Sequence, residues 1–251
     1  MAKFPLLGVN ISAMRFDEAV QRLLAAPAAG ERLRVHFCTA HTLVEASEDR
    51  VLRERLNESE IVSPDGMPLV WVGRLRGQTI ERVYGPDMML ALADRSREAG
   101  LRHYFYGGAE GVPERLAQQL RQRFPGMQVA GAYSPPFRPL SADEEADVVQ
   151  MINTTHPDFV WVGLGSPKQD HWVSEFRGRL DASALLAVGA AFDFHSGGTR
   201  ESPRWVRQAG LQWFDRLLHE PRRLWRRYTV TNARFLWLLA RDVVRGGVRA
   251  P

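Results

Sequence analysis

Asp65 stands in Ser63-Pro64-Asp65-Gly66, directly after a short apolar run. A carboxylate at the carboxyl end of a strand, partly shielded from water, can act as a general base. The same Asp-Gly pair also reads as a turn or a helix cap. Thr39 and His41 mark another strand end, in Phe37-Cys38-Thr39-Ala40-His41-Thr42. The chain has no Cys-x-x-Cys and no His-x-x-x-His pair, so a zinc site is not supported. No Asp-x-Asp pair occurs anywhere in the chain, and that is the usual device for holding a divalent cation on a diphosphate. A diphosphate bound here would be met by Arg, Lys and helix N-termini instead, and neither a metal nor an organic cofactor is expected. Arg82, in Glu81-Arg82-Val83-Tyr84-Gly85-Pro86, precedes a helix opening at Pro86 and suits an anion clamp.

Two glycine loops add to this set. Tyr106-Gly107-Gly108-Ala109-Glu110-Gly111 joins a strand to a helix, either as a plain turn or as a close approach to phosphate. Gly163-Leu164-Gly165-Ser166-Pro167-Lys168-Gln169 has the same strand-loop-helix form, with Pro167 suited to the first helical turn. Lys168 and Lys3 are the only lysines in a chain that otherwise uses arginine. A lysine beside Gly165 favours a phosphate contact over a solvated helix start. Gln169 can both donate to and accept from sugar hydroxyls. Asp193, in Ala191-Phe192-Asp193-Phe194, reads equally as a structural acceptor or a site residue.

Such loops need a scaffold that holds strand ends side by side. Strand-like runs at 6–11, 34–39, 60–62, 103–106, 128–132, 158–163 and 184–188 alternate with helical patterns at 16–26, 42–57, 67–75, 86–98, 113–124, 143–155 and 168–176. Ser141 with Glu144 predicts a capping box, and Gly100 predicts a helix stop. This alternation predicts an α/β fold, a Rossmann-like and largely parallel sheet with helices on both faces, over residues 1–195. Residues 196–251 differ: the pattern is helical, Arg-rich and Trp-rich, with Pro203 and Pro221 placed to open helices. From Thr199 onward the chain has twelve Arg against four acidic residues, a net of +8, so the preceding part carries −4.

A basic appendage on an acidic body points to an anionic partner: phospholipid, nucleic acid or a phosphorylated substrate. Arg222, Arg223, Arg226 and Arg227 flank Leu224, Trp225 and Tyr228, which fits an interfacial helix better than a groove tracking nucleic acid. A helical cap with its arginines in water is the plainer alternative. Cys38 is the only cysteine, so no intrachain disulfide can form, and a reducing compartment is expected. The first residues show no signal-peptide pattern, and no apolar run nears the ~20 residues needed to cross a bilayer. A dinucleotide-binding oxidoreductase would want Gly-x-Gly-x-x-Gly after the first strand, where Val9-Asn10-Ile11-Ser12 stands instead.

Taken in order, the motifs resemble the WecB/TagA/CpsF family, glycosyltransferase family 26. The matching pieces include the Thr39 segment, Pro64-Asp65-Gly66-Met67-Pro68, Glu81-Arg82-Val83, the Gly107-Gly108 loop, and Gly163 through Gln169. They continue through Gly189-Ala190-Ala191-Phe192-Asp193, Pro203-Arg204-Trp205, Gly210-Leu211-Gln212-Trp213 and Glu220-Pro221-Arg222-Arg223-Leu224. The resemblance implies an inverting, metal-independent transferase. It would use a UDP-sugar, typically UDP-N-acetylmannosamine, on an undecaprenyl-diphosphate-linked acceptor in cell-surface polysaccharide assembly. It implies Asp65 as the base, with Thr39, Arg82 and Gln169 in the site. It further implies a basic C-terminal appendage that completes the site and holds the enzyme to the cytoplasmic face of an anionic membrane. His41 departs from the pattern, standing where the family commonly has Asn. A homo-oligomer is left open.

Overall fold

A hairpin comes first: β1 (Lys3–Leu6) pairs antiparallel with β2 (Val9–Ser12). The run at 6–11 is therefore not one strand. Leu7 (φ 51°) and Gly8 (φ 83°) both turn with positive φ, the conformation of the tight turns that match strand twist. The computed structural model describes residues 1–199, 201–208, 210–219 and 221–244.

After α1 (Phe16–Ala25) the main sheet begins with β3 (Leu33–Cys38), followed by α2 (Ala40–Glu48), α3 (Arg50–Glu58) and β4 (Ile61–Pro64). The helix expected over 42–57 is thus two helices. The Asp49 side chain accepts from the Leu52 backbone N–H at 3.0 Å and starts α3 on its own cap. Next come α4 (Met67–Leu75), α5 (Gly85–Arg95), β5 (Arg102–Gly107), α6 (Val112–Arg123), β6 (Gln128–Tyr133), α7 (Ala142–Asn153), β7 (Phe159–Gly163), α8 (Lys168–Phe176), β8 (Ala184–Ala187) and α9 (Ala191–His195). The Ser141/Glu144 capping box is present at α7. Gly100 lies beyond the end of α5, in the turn that follows it.

Strands β3 to β8 form one sheet, parallel throughout, in the order β4-β3-β8-β7-β5-β6. Its central strands are buried on both faces, and so they read as continuous apolar runs such as Phe159-Val160-Trp161-Val162. One face is covered by α1, α5, α6 and α9 through Leu23, Met89, Leu116 and Phe192. The other carries α7 and α8, where Val148, Ile152, Trp172 and Phe176 pack on Tyr104 and Tyr106. This is the Rossmann-like architecture expected. The chain leaves β5 toward β6 and leaves β7 toward β8, in opposite directions, so the loops part between β5 and β7. Ligands of such sheets bind in that crevice.

The C-terminal part adds α10 (Arg204–Gln208), α11 (Gln212–His219) and α12 (Pro221–Val244). Phe235 and Leu238 of α12 are buried in a third cluster with Leu43, Leu69, Val70 and the hairpin's Phe4 and Ile11. Burying each side chain of that size contributes about 1.5–3 kcal/mol, which seats the end of α12 on the body. Among the described residues no helix is long and apolar enough to cross a membrane. The side chains of Arg222, Arg223, Arg226 and Arg227 fall outside the described residues.

Candidate active site

A cleft of about 1020 Å³ opens over the carboxyl ends of the strands. Five strands of the main sheet deliver part of it at their carboxyl ends. β3 ends at Thr39 and His41, β4 at Asp65, β5 at Gly108, β7 at Gly163 and Gly165, and the turn after β8 at Gly189. Lys168 and Gln169 open α8, and Asp193 comes from α9. Arg82, Gln212, Trp213, Thr231 and Asn232 also line the cleft, as does the segment from Pro135 to Leu140 that follows β6.

Asp65 is 9% exposed. Burial raises its carboxyl from 3.8 to about 6, against the opposing pull of Arg82 and the Gly85 backbone N–H. The Gly85 N–H donates to Oδ2 at 3.4 Å, and Arg82 Nη2 lies 3.4 Å from Oδ1. A carboxyl poised near neutrality in a cleft suits a general base.

Arg82 is less open than an anion clamp would be. Its Nε donates to the Asp65 carbonyl, Nη1 to the Arg207 carbonyl at 3.1 Å, and Nη2 to Gln212 Oε1 at 2.7 Å as well as to Asp65. Of five N–H donors, one is left for a ligand. The guanidinium also lies over the Tyr84 ring, 4.2 Å from its centroid, and Gln212 Nε2 donates to Tyr84 Oη at 2.7 Å. Arg207 in turn pairs with Asp87 at 2.7 Å and Glu201 at 3.1 Å. The C-terminal helices therefore hold the residue that sits beside Asp65.

A polar chain runs inward from His41. His41 Nε2 lies 3.3 Å from Glu45 Oε1. Ser166 Oγ is 3.0 Å from both Glu45 Oε2 and Asp170 Oδ2, one hydroxyl proton between two carboxylates. Asp170 Oδ1 lies 2.8 Å from Nδ1 of His36, which is fully buried in β3. Gln169 is 6% exposed; its Nε2 donates to the Ala187 carbonyl at 3.1 Å, and its Oε1 has no partner among the described residues. That oxygen is a buried acceptor without a partner, in a residue that lines the cleft. Thr39 caps α2, its Oγ1 accepting from the Thr42 backbone N–H at 3.3 Å. Lys168 is exposed at the cleft wall. Asp193 lines the cleft, and its backbone carbonyl accepts from the Gly198 and Thr199 backbone N–H groups.

The glycine loops differ in what they do. Gly107 does not line the cleft. A Cβ there would come within 2.6 Å of the Gly163 carbonyl oxygen, so glycine is required for β5 to close on β7. The Gly108 backbone N–H is used internally, donating to that same carbonyl at 2.8 Å. Gly165 has φ +76° and open space where a Cβ would stand, so that loop keeps room beside the cleft. Pro167 occupies the N-cap position of α8 rather than its first turn.

Every site residue expected at a strand end lies at this cleft except Gly107. The sequence reading assigned no role to Glu45, Ser166, Asp170, Tyr84, Arg207 or Gln212. Glu45 sits four residues after His41 and Asp170 four after Ser166, a helical spacing that could have linked them. Among the described residues no group of three or more His, Cys, Asp or Glu is placed to hold a metal ion.

Fold and cleft together define an α/β protein with a cleft at the carboxyl ends of a parallel sheet, walled in part by helices from its own C-terminal part. The chain belongs to the Glycosyl transferase WecG/TagA/CpsF family, whose sequence model matches residues 4–248. It is 31% identical over 173 residues to the N-acetylglucosaminyldiphosphoundecaprenol N-acetyl-beta-D-mannosaminyltransferase of Bacillus spizizenii. That match covers 68% of this chain and 65% of that protein, just under two thirds of its length. Identity is 28% to the protein of the same name from Bacillus subtilis, over 72% of this chain and 69% of that one. It is 23% to the one from Staphylococcus aureus strain MW2, over 90% and 88%.

Proposed function

We propose that this protein transfers an N-acetylmannosaminyl or related residue from a UDP-sugar to an undecaprenyl-diphosphate-linked acceptor, with inversion and without a metal, at the inner face of the cell membrane. The observation that carries the reading is Asp65: a buried carboxyl near neutrality, in a cleft large enough for a nucleotide sugar, in a chain of this family. The names of the relatives support the sugar and the acceptor.

In this reading Asp65 takes the proton from the acceptor hydroxyl as its oxygen attacks the anomeric carbon. The bond to the diphosphate breaks on the opposite face, and negative charge grows on the departing UDP. Arg82 and Lys168 lie on the cleft wall with positive charge to meet it, and Gln169 Oε1 is free to accept from a sugar hydroxyl or amide. The missing Asp-x-Asp pair supports a cation-free account. Arg222, Arg223, Arg226 and Arg227 on α12 are assigned to the lipid diphosphate and the anionic leaflet.

Asp65→Asn keeps the shape of the side chain and removes the base. Turnover should fall about 10²- to 10⁴-fold with UDP affinity nearly unchanged. A variant that turns over at the wild-type rate would leave Asp65 a structural role only.

A further inference from the structure

Helix α4 buries Leu69, Val70 and Gly73 and turns Met67, Trp71 and Leu75, spaced by four, the other way. Met67 lines the cleft, while Trp71 is 48% and Leu75 82% exposed. With a rise of 1.5 Å per residue, this apolar line runs about 12 Å from the cleft out over the surface. Trp71 is held in place: a Cβ at Gly210 would lie 3.0 Å from its Cη2 and Cζ2, so the ring lies against the entrance to α11. There the surface continues in Leu211, Phe214 and Leu218, all exposed and at i, i+3, i+7 spacing.

Charge tells what covers it. Between residues 66 and 80 the chain has Arg74 and Arg76 and no acidic residue. Arg76 is paired with Asp242, which leaves the exposed Arg74 beside Trp71 and Leu75. The C-terminal part, from Thr199 onward, carries a net charge of +8. Large apolar side chains grouped beside basic charge, at the rim of a cleft, have the composition of a surface that rests in the headgroup region of an anionic bilayer.

We propose that the exposed face of α4, with Trp71 and Leu75, docks on an anionic lipid surface together with Leu211, Phe214 and Leu218. The cleft mouth at Met67 is thereby set at headgroup height. Docking then belongs to the sheet domain as well as to the arginines of α12. The inference rests on the proposed function only in giving the cleft a lipid-borne diphosphate to reach; the docking itself is read without turnover.

Cys38 is buried, so a Leu75→Cys variant of the full chain takes an environment-sensitive fluorophore at that one position. Added phosphatidylglycerol–phosphatidylcholine vesicles should shift its emission to the blue, and phosphatidylcholine vesicles should do so weakly. Leu75→Glu, at a site too exposed to threaten folding, should lower co-sedimentation with the anionic vesicles by about tenfold. Its turnover on a water-soluble, short-lipid acceptor should stay within about twofold of wild type. A label that does not shift while the protein is vesicle-bound would overturn the proposal. So would a Leu75→Glu protein that binds vesicles normally but changes its oligomeric state in sedimentation, which would make this face a contact between copies of the chain. A protein that docks as described yet transfers no sugar would refute the proposed function alone.

Discussion

Asp65 shows how a residue's type and its surroundings divide the explanation. The strand end and the following glycine mark it in the sequence, but its proton affinity comes from burial, which no local pattern encodes. A carboxyl whose folded value lies near 6 rather than 3.8 favours the protonated form in the native state. Its contribution to stability is therefore fully present below pH 3.8 and is lost as pH rises through about 6. The loss amounts to about 3 kcal/mol across that window. Asp65→Asn lacks this titration. Thermal melts should show the variant gaining on wild type between pH 4 and pH 7, and the acid limb of kcat/KM in the wild-type enzyme should bend near pH 6. A difference in melting temperature that stays flat across that range would mean the carboxyl titrates at its ordinary value. Glu45, Ser166 and Asp170 were not legible in the same way, because each also reads as an ordinary polar residue of a helix or its first turn. Only the closeness of α2 to the start of α8 makes them one network with His41 and His36.

At the scale of elements, the seven helical patterns and the parallel sheet were legible because alternating apolar periods report burial directly. Two boundaries were not. The apolar spacing continues unbroken across Asp49, so only a capping bond divides α2 from α3. The hairpin turns at Leu7-Gly8 without the Asn-Gly or Asp-Gly pair that announces such turns. The contact of α11 with Arg82 was hidden too, since Gln212 lies 130 residues away in sequence. Gln212 joins Arg82 Nη2 and Tyr84 Oη, and so fixes the guanidinium beside Asp65. Gln212→Ala should cost about 1 kcal/mol of stability, the usual worth of such bonds. It should lower turnover about tenfold or more. In an Arg82→Ala background the same change should cost little further turnover, because its effect passes through Arg82. Equal losses in both backgrounds, read from kcat, would mean that α11 acts on the reaction by another route.

For the whole molecule, the charge split at about residue 195 marks a change of composition, and the packing crosses it. Arg207 and Gln212 reach Arg82, Thr231 and Asn232 line the cleft, and Phe235 and Leu238 fill the cluster beside α2 and α4. The six-stranded sheet, by contrast, lies wholly within residues 33–187, and its two faces are covered by helices that end at His195. A chain ended after His195 should therefore keep its far-ultraviolet circular dichroism in the sheet region while melting earlier, since the partners of Phe235 and Leu238 become exposed to water. Its activity should fall by at least about a hundredfold even on a water-soluble acceptor with a short lipid, because Arg82 loses two of its fixed partners and the cleft loses a wall. The soluble acceptor removes membrane attachment from the comparison, so the deficit reports on the site itself. Full activity of the shortened chain on that acceptor would show that residues 196–251 serve attachment only and that the contacts to Arg82 do not bear on the reaction.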